Sequence, residues 1–264
     1  MNEPRPNWSL SRAECLAAQP FWHECTTCAE RTDVEAWCRY CDGWIAPHYH
    51  QSGGIAEWQR FAHKSLATLD WAWLGQTVTG QLRAFADTLP QQVREGQGLY
   101  LGGRPGSGKT HAALGLGLIG LAHGFSVYAT TLGGLLLEIR ATFNRQGADD
   151  ESALLERLCD LDLLILDDLG MEQATPWAVE KLAHLIHTRY ARRKSLLLTS
   201  NFHPARLEVV WGPHLMSRVY ATCELLSFAG VDDYRPFERA ESLGRAEPFL
   251  THWPGTDAEV VVAK

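Results

Sequence analysis

Between Gly103 and Thr110 the chain reads Gly-Arg-Pro-Gly-Ser-Gly-Lys-Thr, a complete G-x-x-x-x-G-K-[ST] motif, and its flanks decide what it means. Gly98-Leu99-Tyr100-Leu101-Gly102 has the apolar run of a short strand, and residues 111–123 have the small-residue pattern of a closely packed helix. Strand, glycine-rich turn and helix in that order aim backbone N–H groups and a helix N-terminus at an anion. An ordinary glycine-rich turn would not need those flanks. The expectation is a nucleotide phosphate site built from Gly103, Arg104, Pro105, Gly106, Ser107, Gly108, Lys109, Thr110 and His111. Lys109 adds a point charge at the β- and γ-phosphates, Thr110 offers its hydroxyl to Mg²⁺, and Gly124 closes the helix.

From Gly98 onward strand and helix patterns alternate, which predicts an α/β fold with a parallel sheet and flanking helices. Strands are expected over 125–130, 161–166, 195–200 and 223–228. Helices are expected over about 132–144, over 152–158, from the Thr175-Pro176 cap to Ala191, and from near Gly212-Pro213. The third strand ends in Asp167-Asp168. At the carboxyl end of a central strand, Asp167 is placed to hold Mg²⁺ and Asp168 to orient or deprotonate a water. Asn201 ends the next strand, where an amide can meet the attacking water or the γ-phosphate, although Asn there is also ordinary turn chemistry. Arg218 is suited to stabilise transition-state charge in a neighbouring subunit, or simply to face solvent.

The N-terminal region carries a second pattern. Cys25-Thr-Thr-Cys28 and Cys38-Arg-Tyr-Cys41 are two C-x-x-C pairs nine residues apart, the arithmetic of a structural Zn²⁺ site in a reducing compartment. His23, His48 and His50 are close enough to replace one thiolate, and Cys15, Cys159 and Cys223 are expected to be buried or semi-buried thiols. Residues 1–60 hold five arginines and no lysine against eight acidic residues, a poor footing for phosphate contacts. Their five tryptophans (Trp8, Trp22, Trp37, Trp44 and Trp58) fit either anchors for a protein partner or the core of a tiny metal domain. A net charge of −7 excludes duplex binding driven by overall charge. With no eighteen-residue apolar stretch and no secretion signal, a cytoplasmic protein without membrane association is expected.

Taken together, the phosphate loop with His111, Leu163-Leu-Ile-Leu-Asp-Asp-Leu-Gly170, Arg189-Tyr190, Leu198-Thr-Ser-Asn201, Ser217-Arg218 and Gly230-Val-Asp-Asp-Tyr-Arg235 resemble the DnaC/DnaI-type helicase loaders and their IstB-type relatives. The resemblance spans roughly residues 66–236, including Thr68-Leu69-Asp70. It implies an AAA+ ATPase core that hydrolyses ATP to ADP and phosphate, with Asn201 as sensor and Arg218 as an arginine finger supplied in trans. It further implies docking of a DnaB-type replicative helicase on the N-terminal domain, self-association through ATP sites, and a grip on single-stranded DNA. The zinc module resembles DnaI-type loaders and is not expected in IstB-type transposition helpers, which bind duplex DNA and a transposase.

The expected layout is a zinc module over 1–60, a linker and lead-in helix over 61–95, the AAA+ core over 96–236 and a tail over 237–264, too short for a full lid domain. Arg140, Phe143 and Arg145 are a phosphate-and-stacking set for single-stranded DNA, or an amphipathic surface helix. Arg189, Arg192, Arg193 and Lys194 form the densest basic run, open to a subunit contact, to DNA or to solubility alone. A zinc-dependent adaptor with a degenerate nucleotide site is the third reading, opposed by the complete loop, both aspartates and a finger.

Overall fold

In the computed structural model, which describes residues 65–123, 125–142, 151–170 and 174–237, five apolar runs pair side by side. These are β1 (Gly98–Gly103), β2 (Val127–Thr131), β3 (Leu163–Asp167), β4 (Ser195–Ser200) and β5 (Cys223–Phe228). All neighbours are parallel, in the order β2-β3-β4-β1-β5. Seven α-helices are described, α1 (Trp71–Glu95), α2 (Lys109–Ala122), α3 (Leu132–Thr142), α4 (Glu151–Asp160), α5 (Pro176–Ala191), α6 (Pro204–Trp211) and α7 (Pro213–Thr222), after a 3-10 turn at Leu66–Thr68.

Strands β4 and β5 keep their predicted limits, and Thr175 caps α5 as expected, its hydroxyl accepting from the Ala178 N–H. Strand β3 starts two residues later than predicted. The Asp162 carboxylate accepts from the N–H and hydroxyl of Ser126, so it pins the entry to β2 instead of joining the ladder. Helix α6 has no counterpart in the sequence reading, although His203-Pro204 repeats the cap-and-proline start of α5: the His203 ring accepts from the Ala205 N–H.

Alternate residues of the strands enter two different cores. Leu99, Leu101, Leu163, Ile165 and Leu197 face a cluster filled by Leu82, Phe85 and Leu89 of α1 and by Ala112, Leu116 and Ile119 of α2. Tyr100, Leu164, Leu166, Leu196 and Leu198 face the opposite cluster, built with α3 to α7. With apolar side chains on both faces and about 1.5–3 kcal/mol at stake per buried leucine, the near-continuous apolar runs of β3 and β4 are explained. The lead-in helix α1 therefore shares the core of one face. Asp70 caps its start through the Trp73 N–H, and Gly96, at φ 73°, ends it in the left-handed conformation.

Candidate functional site

Because β4 lies between β1 and β3, the carboxyl ends of these three strands bring the phosphate loop, the aspartate pair and Asn201 to one edge of the sheet. Lys109, only 6% exposed, donates to the carbonyls of Gly103 (2.8 Å) and Arg104 (2.7 Å) and to Asn201 Oδ1 (3.1 Å). The amide of Asn201 then donates through Nδ2 to Asp168 Oδ1 at 2.9 Å, so one side chain spans from the loop lysine to the second aspartate. Asp167, 8% exposed, accepts from Thr110 Oγ1 at 2.8 Å and from Thr199 Oγ1 at 2.6 Å. Burial raises the Asp167 pKa, while the two hydroxyls work in the opposite direction.

Asp168 is in the left-handed region at φ 57°, and its N–H donates to Thr199 Oγ1 at 2.9 Å. That turn of the chain separates the two carboxylates: Asp167 faces Thr110, and Asp168 faces Asn201. Thr199 is the site residue that sequence reasoning missed. Its signal was a hydroxyl directly after the apolar run Leu196-Leu-Leu198. For Mg²⁺, Thr110 Oγ1 and the Asp167 carboxylate form an all-oxygen donor set, the type this hard cation requires.

Sequence reasoning also missed how the last described segment closes over the loop. The Tyr234 N–H donates to the Gly106 carbonyl at 3.0 Å, and the Asp233 carboxylate packs against Gly106 where a Cβ would otherwise stand. Gly106 has φ 74°, so both its conformation and the space around it call for glycine. Trp73 of α1 holds this segment, donating from Nε1 to the Asp232 carbonyl at 3.1 Å and meeting Tyr234 edge-on at 5.3 Å.

Other predicted residues fall elsewhere. The His111 ring contacts the Ser65 carbonyl (2.8 Å) and Thr68 Oγ1 (3.1 Å), tying α2 to the lead-in segment; it is a contact of the loop's surroundings rather than of its interior. Arg218 lies on α7, where among the described residues it bonds to His187 and to the His214 carbonyl and to none of the phosphate-loop residues. Arg140 sits 4.7 Å over the Trp177 ring, while Phe143 and Arg145 lie outside the described residues.

The basic run is corrected at Arg189. It is 1% exposed, and its guanidinium donates to backbone carbonyls of Leu158, Leu161, Asp162 and Ser195, which removes it from any DNA or subunit contact. Arg192 pairs with Glu156 and Asp160, and Lys194 with Asp162. Cys159 is buried and Cys223 half-buried, as expected. Cys15, His23, Cys25, Cys28, Cys38, Cys41, His48, His50, Gly124 and the tail beyond Phe237 lie outside the described residues, among which there is no metal-binding cluster. No described helix is long and apolar enough to cross a membrane.

Burial pushes the Lys109 ammonium down from 10.5 to about 8, against the opposing pull of Asp167 and Asp168. Phosphate needs the charged form, so nucleotide affinity is expected to fall as pH rises through about 8, by up to tenfold per unit above it. Calorimetry in two buffers of different ionisation enthalpy should then read proton uptake on binding; a flat affinity from pH ~7 to ~9 would contradict it. For stability the sign runs the other way. The lysine's unfavourable contribution is full below about 8 and is relieved as pH rises towards 10.5.

With this geometry in view, the model of the family described as "IstB-like ATP binding protein" matches residues 55–239. The chain belongs to that family. Among relatives of this member, the replicative helicase loader DnaC of Buchnera aphidicola subsp. Baizongia pistaciae is 29% identical over 133 residues, which is 50% of this chain and 54% of that protein. The DnaC loader of Escherichia coli K12 is 25% identical over 160 residues, 59% of this chain and 64% of that protein. The chain thus spans about half the length of the first of these relatives. A crystal structure of the DnaC helicase loader superposes with TM-score 0.57 at 26% identity, over 64% of this chain and 98% of that one. A DnaI structure, at TM-score 0.56 and 19% identity over 64% of this chain and 93% of that one, shows the same fold. These relatives uphold the resemblance to DnaC-type loaders drawn from the motifs, and they match the α/β architecture with its parallel sheet.

Proposed function

We propose that this IstB-like protein is a cytoplasmic ATP-dependent helicase loader, which binds a DnaB-type replicative helicase and places it on single-stranded DNA with ATP binding and hydrolysis as the switch. The observation that carries the reading is the chain of contacts from Lys109 through Asn201 to Asp168, beside the Thr110–Asp167 pair. Lys109 and the loop N–H groups hold the phosphates. Thr110 and Asp167 would hold Mg²⁺, which would screen the phosphate charge. Asp168 takes the proton of, or orients, the attacking water, and Asn201 fixes the carboxylate that does so. Arg218, outside this constellation in its own chain, is free to act on the γ-phosphate of a neighbour.

The N-terminal module is proposed as the helicase dock, built on structural zinc held by Cys25, Cys28, Cys38 and Cys41; this rests on the two C-x-x-C pairs alone. Single-stranded DNA contacts are proposed for the AAA+ core by the resemblance. The test is a pull-down of the replicative helicase from the same cell with the purified full chain and with a chain lacking residues 1–60, with zinc quantified in both. Binding by the full chain only, together with one zinc per chain and ATP turnover, is the expected result. No helicase bound by either protein would overturn the loader and favour a transposition helper, whose own test is retention of duplex DNA and a transposase.

A further inference from the structure

The contacts of Arg218 point to a residue with no role in the reading so far. From α7, Arg218 donates through Nε to Nδ1 of His187 on α5 at 2.8 Å, and through Nη1 to the carbonyl of His214, one turn earlier on its own helix. Neither contact uses Nη2. Among the described residues the guanidinium, in contacts open to solvent, is thus held at two of its three nitrogens, with the third left for another acceptor.

The chemistry of the two acceptors distinguishes this arrangement from an ordinary surface arginine. Arg192, five residues beyond His187 and just past the end of α5, is paired with the carboxylates of Glu156 and Asp160. Among the described residues Arg218 has no carboxylate partner; an imidazole nitrogen and a peptide carbonyl hold it. To accept from Nε–H, His187 must present an unprotonated Nδ1, so the ring is neutral there. Two neutral acceptors fix the plane of the guanidinium without cancelling its charge. A group that must meet developing charge on another subunit's phosphate needs both properties: a preset orientation and an uncompensated cation. An arginine free on its helix would have to surrender its large rotamer entropy at the moment of reaction.

We infer that His187 is the positioning residue for Arg218, clamping the trans-acting finger in the orientation that turnover requires; this rests on the reading of Arg218 as that finger. The experiment measures ATP turnover and nucleotide affinity for the full chain over a range of protein concentrations. The variants are His187→Ala, His187→Asn, His187→Asp, Arg218→Ala and the double variant His187→Ala with Arg218→Ala, each checked for an unchanged thermal midpoint. Loss of the clamp in His187→Ala should lower kcat about tenfold while nucleotide Kd stays within about twofold, since misorientation acts on the transition state. His187→Asn, whose Oδ1 can stand where Nδ1 stood, should recover most of that loss. His187→Asp should not, because a carboxylate holds the guanidinium but neutralises it. The double variant should turn over no more slowly than Arg218→Ala alone.

Unchanged kcat in His187→Ala beside a defective Arg218→Ala would overturn the clamp and leave the finger standing. So would an Asn variant no better than Ala, or a double variant slower than the Arg218 variant. Wild-type turnover in Arg218→Ala, or no turnover by the wild type at any concentration, would instead remove the finger reading, and the clamp with it.

Discussion

Lys109→Ala is expected to reduce ATP turnover by roughly a hundredfold or more and to abolish measurable nucleotide binding, with the fold intact. Among the described residues the lysine is the one cation that reaches the Gly103 and Arg104 carbonyls of the loop and the Asn201 amide together, so its loss removes the phosphate charge and the anchor of the Asn201 bridge. The stability consequence should be small. Alanine leaves three acceptors short of a donor but also removes an ammonium that burial disfavours, and the two effects oppose each other. A thermal midpoint within a few degrees of the parent, with nucleotide binding gone, is the expected pair of results. Normal turnover in this variant would sink the assignment of the loop.

The largest stability effect is expected far from the loop, at Arg189. Its guanidinium joins the end of α4, the entry to β3 and the entry to β4 through four backbone carbonyls, and among the described residues no carboxylate accepts a hydrogen bond from it. Arg189→Met keeps volume and removes every donor, which leaves buried carbonyls unpaired where two parallel strands begin. The unpaired carbonyls cost stability, the loss of a cation whose pKa burial pushes down to about 9 offsets part of that cost, and the expected net destabilisation is about 1–3 kcal/mol. For a domain of this size that lowers the thermal midpoint by about 2–12 °C. Arg189→Lys should recover little of it, because three donors on a flexible stem cannot reproduce a planar fork. A loss below about 1 kcal/mol in Arg189→Met, read from the urea midpoint, would show that the carbonyls find other donors.

Arg189 also marks where the sequence stops being legible. In a run with Arg192, Arg193 and Lys194 it reads as one of four surface cations, and only the packing of α5 on the sheet turns it inward. The strands and the loop were readable because their signals are local: four apolar residues before Asp167, a cap and proline before α5, glycines at fixed spacing. Thr199 and the Asp233–Tyr234 contact were not, since each acquires its role from a partner thirty or more residues away, through the pairing of β4 with β3 and of β5 with β1. Asn201 lay between these cases. Its position at a strand end was visible, but its bridge from Lys109 to Asp168 depends on β4 lying between β1 and β3.

The left-handed turn at Asp168 limits which acid this position can use. Aspartate and asparagine enter that region more readily than longer side chains, for which it costs about 1–2 kcal/mol. Backbone handedness, rather than the length of the side chain, delivers the second carboxylate to Asn201. A glutamate there would combine a backbone penalty with a carboxylate one methylene beyond its partner, so the choice between the two acids is made by the peptide chain before any nucleotide chemistry begins.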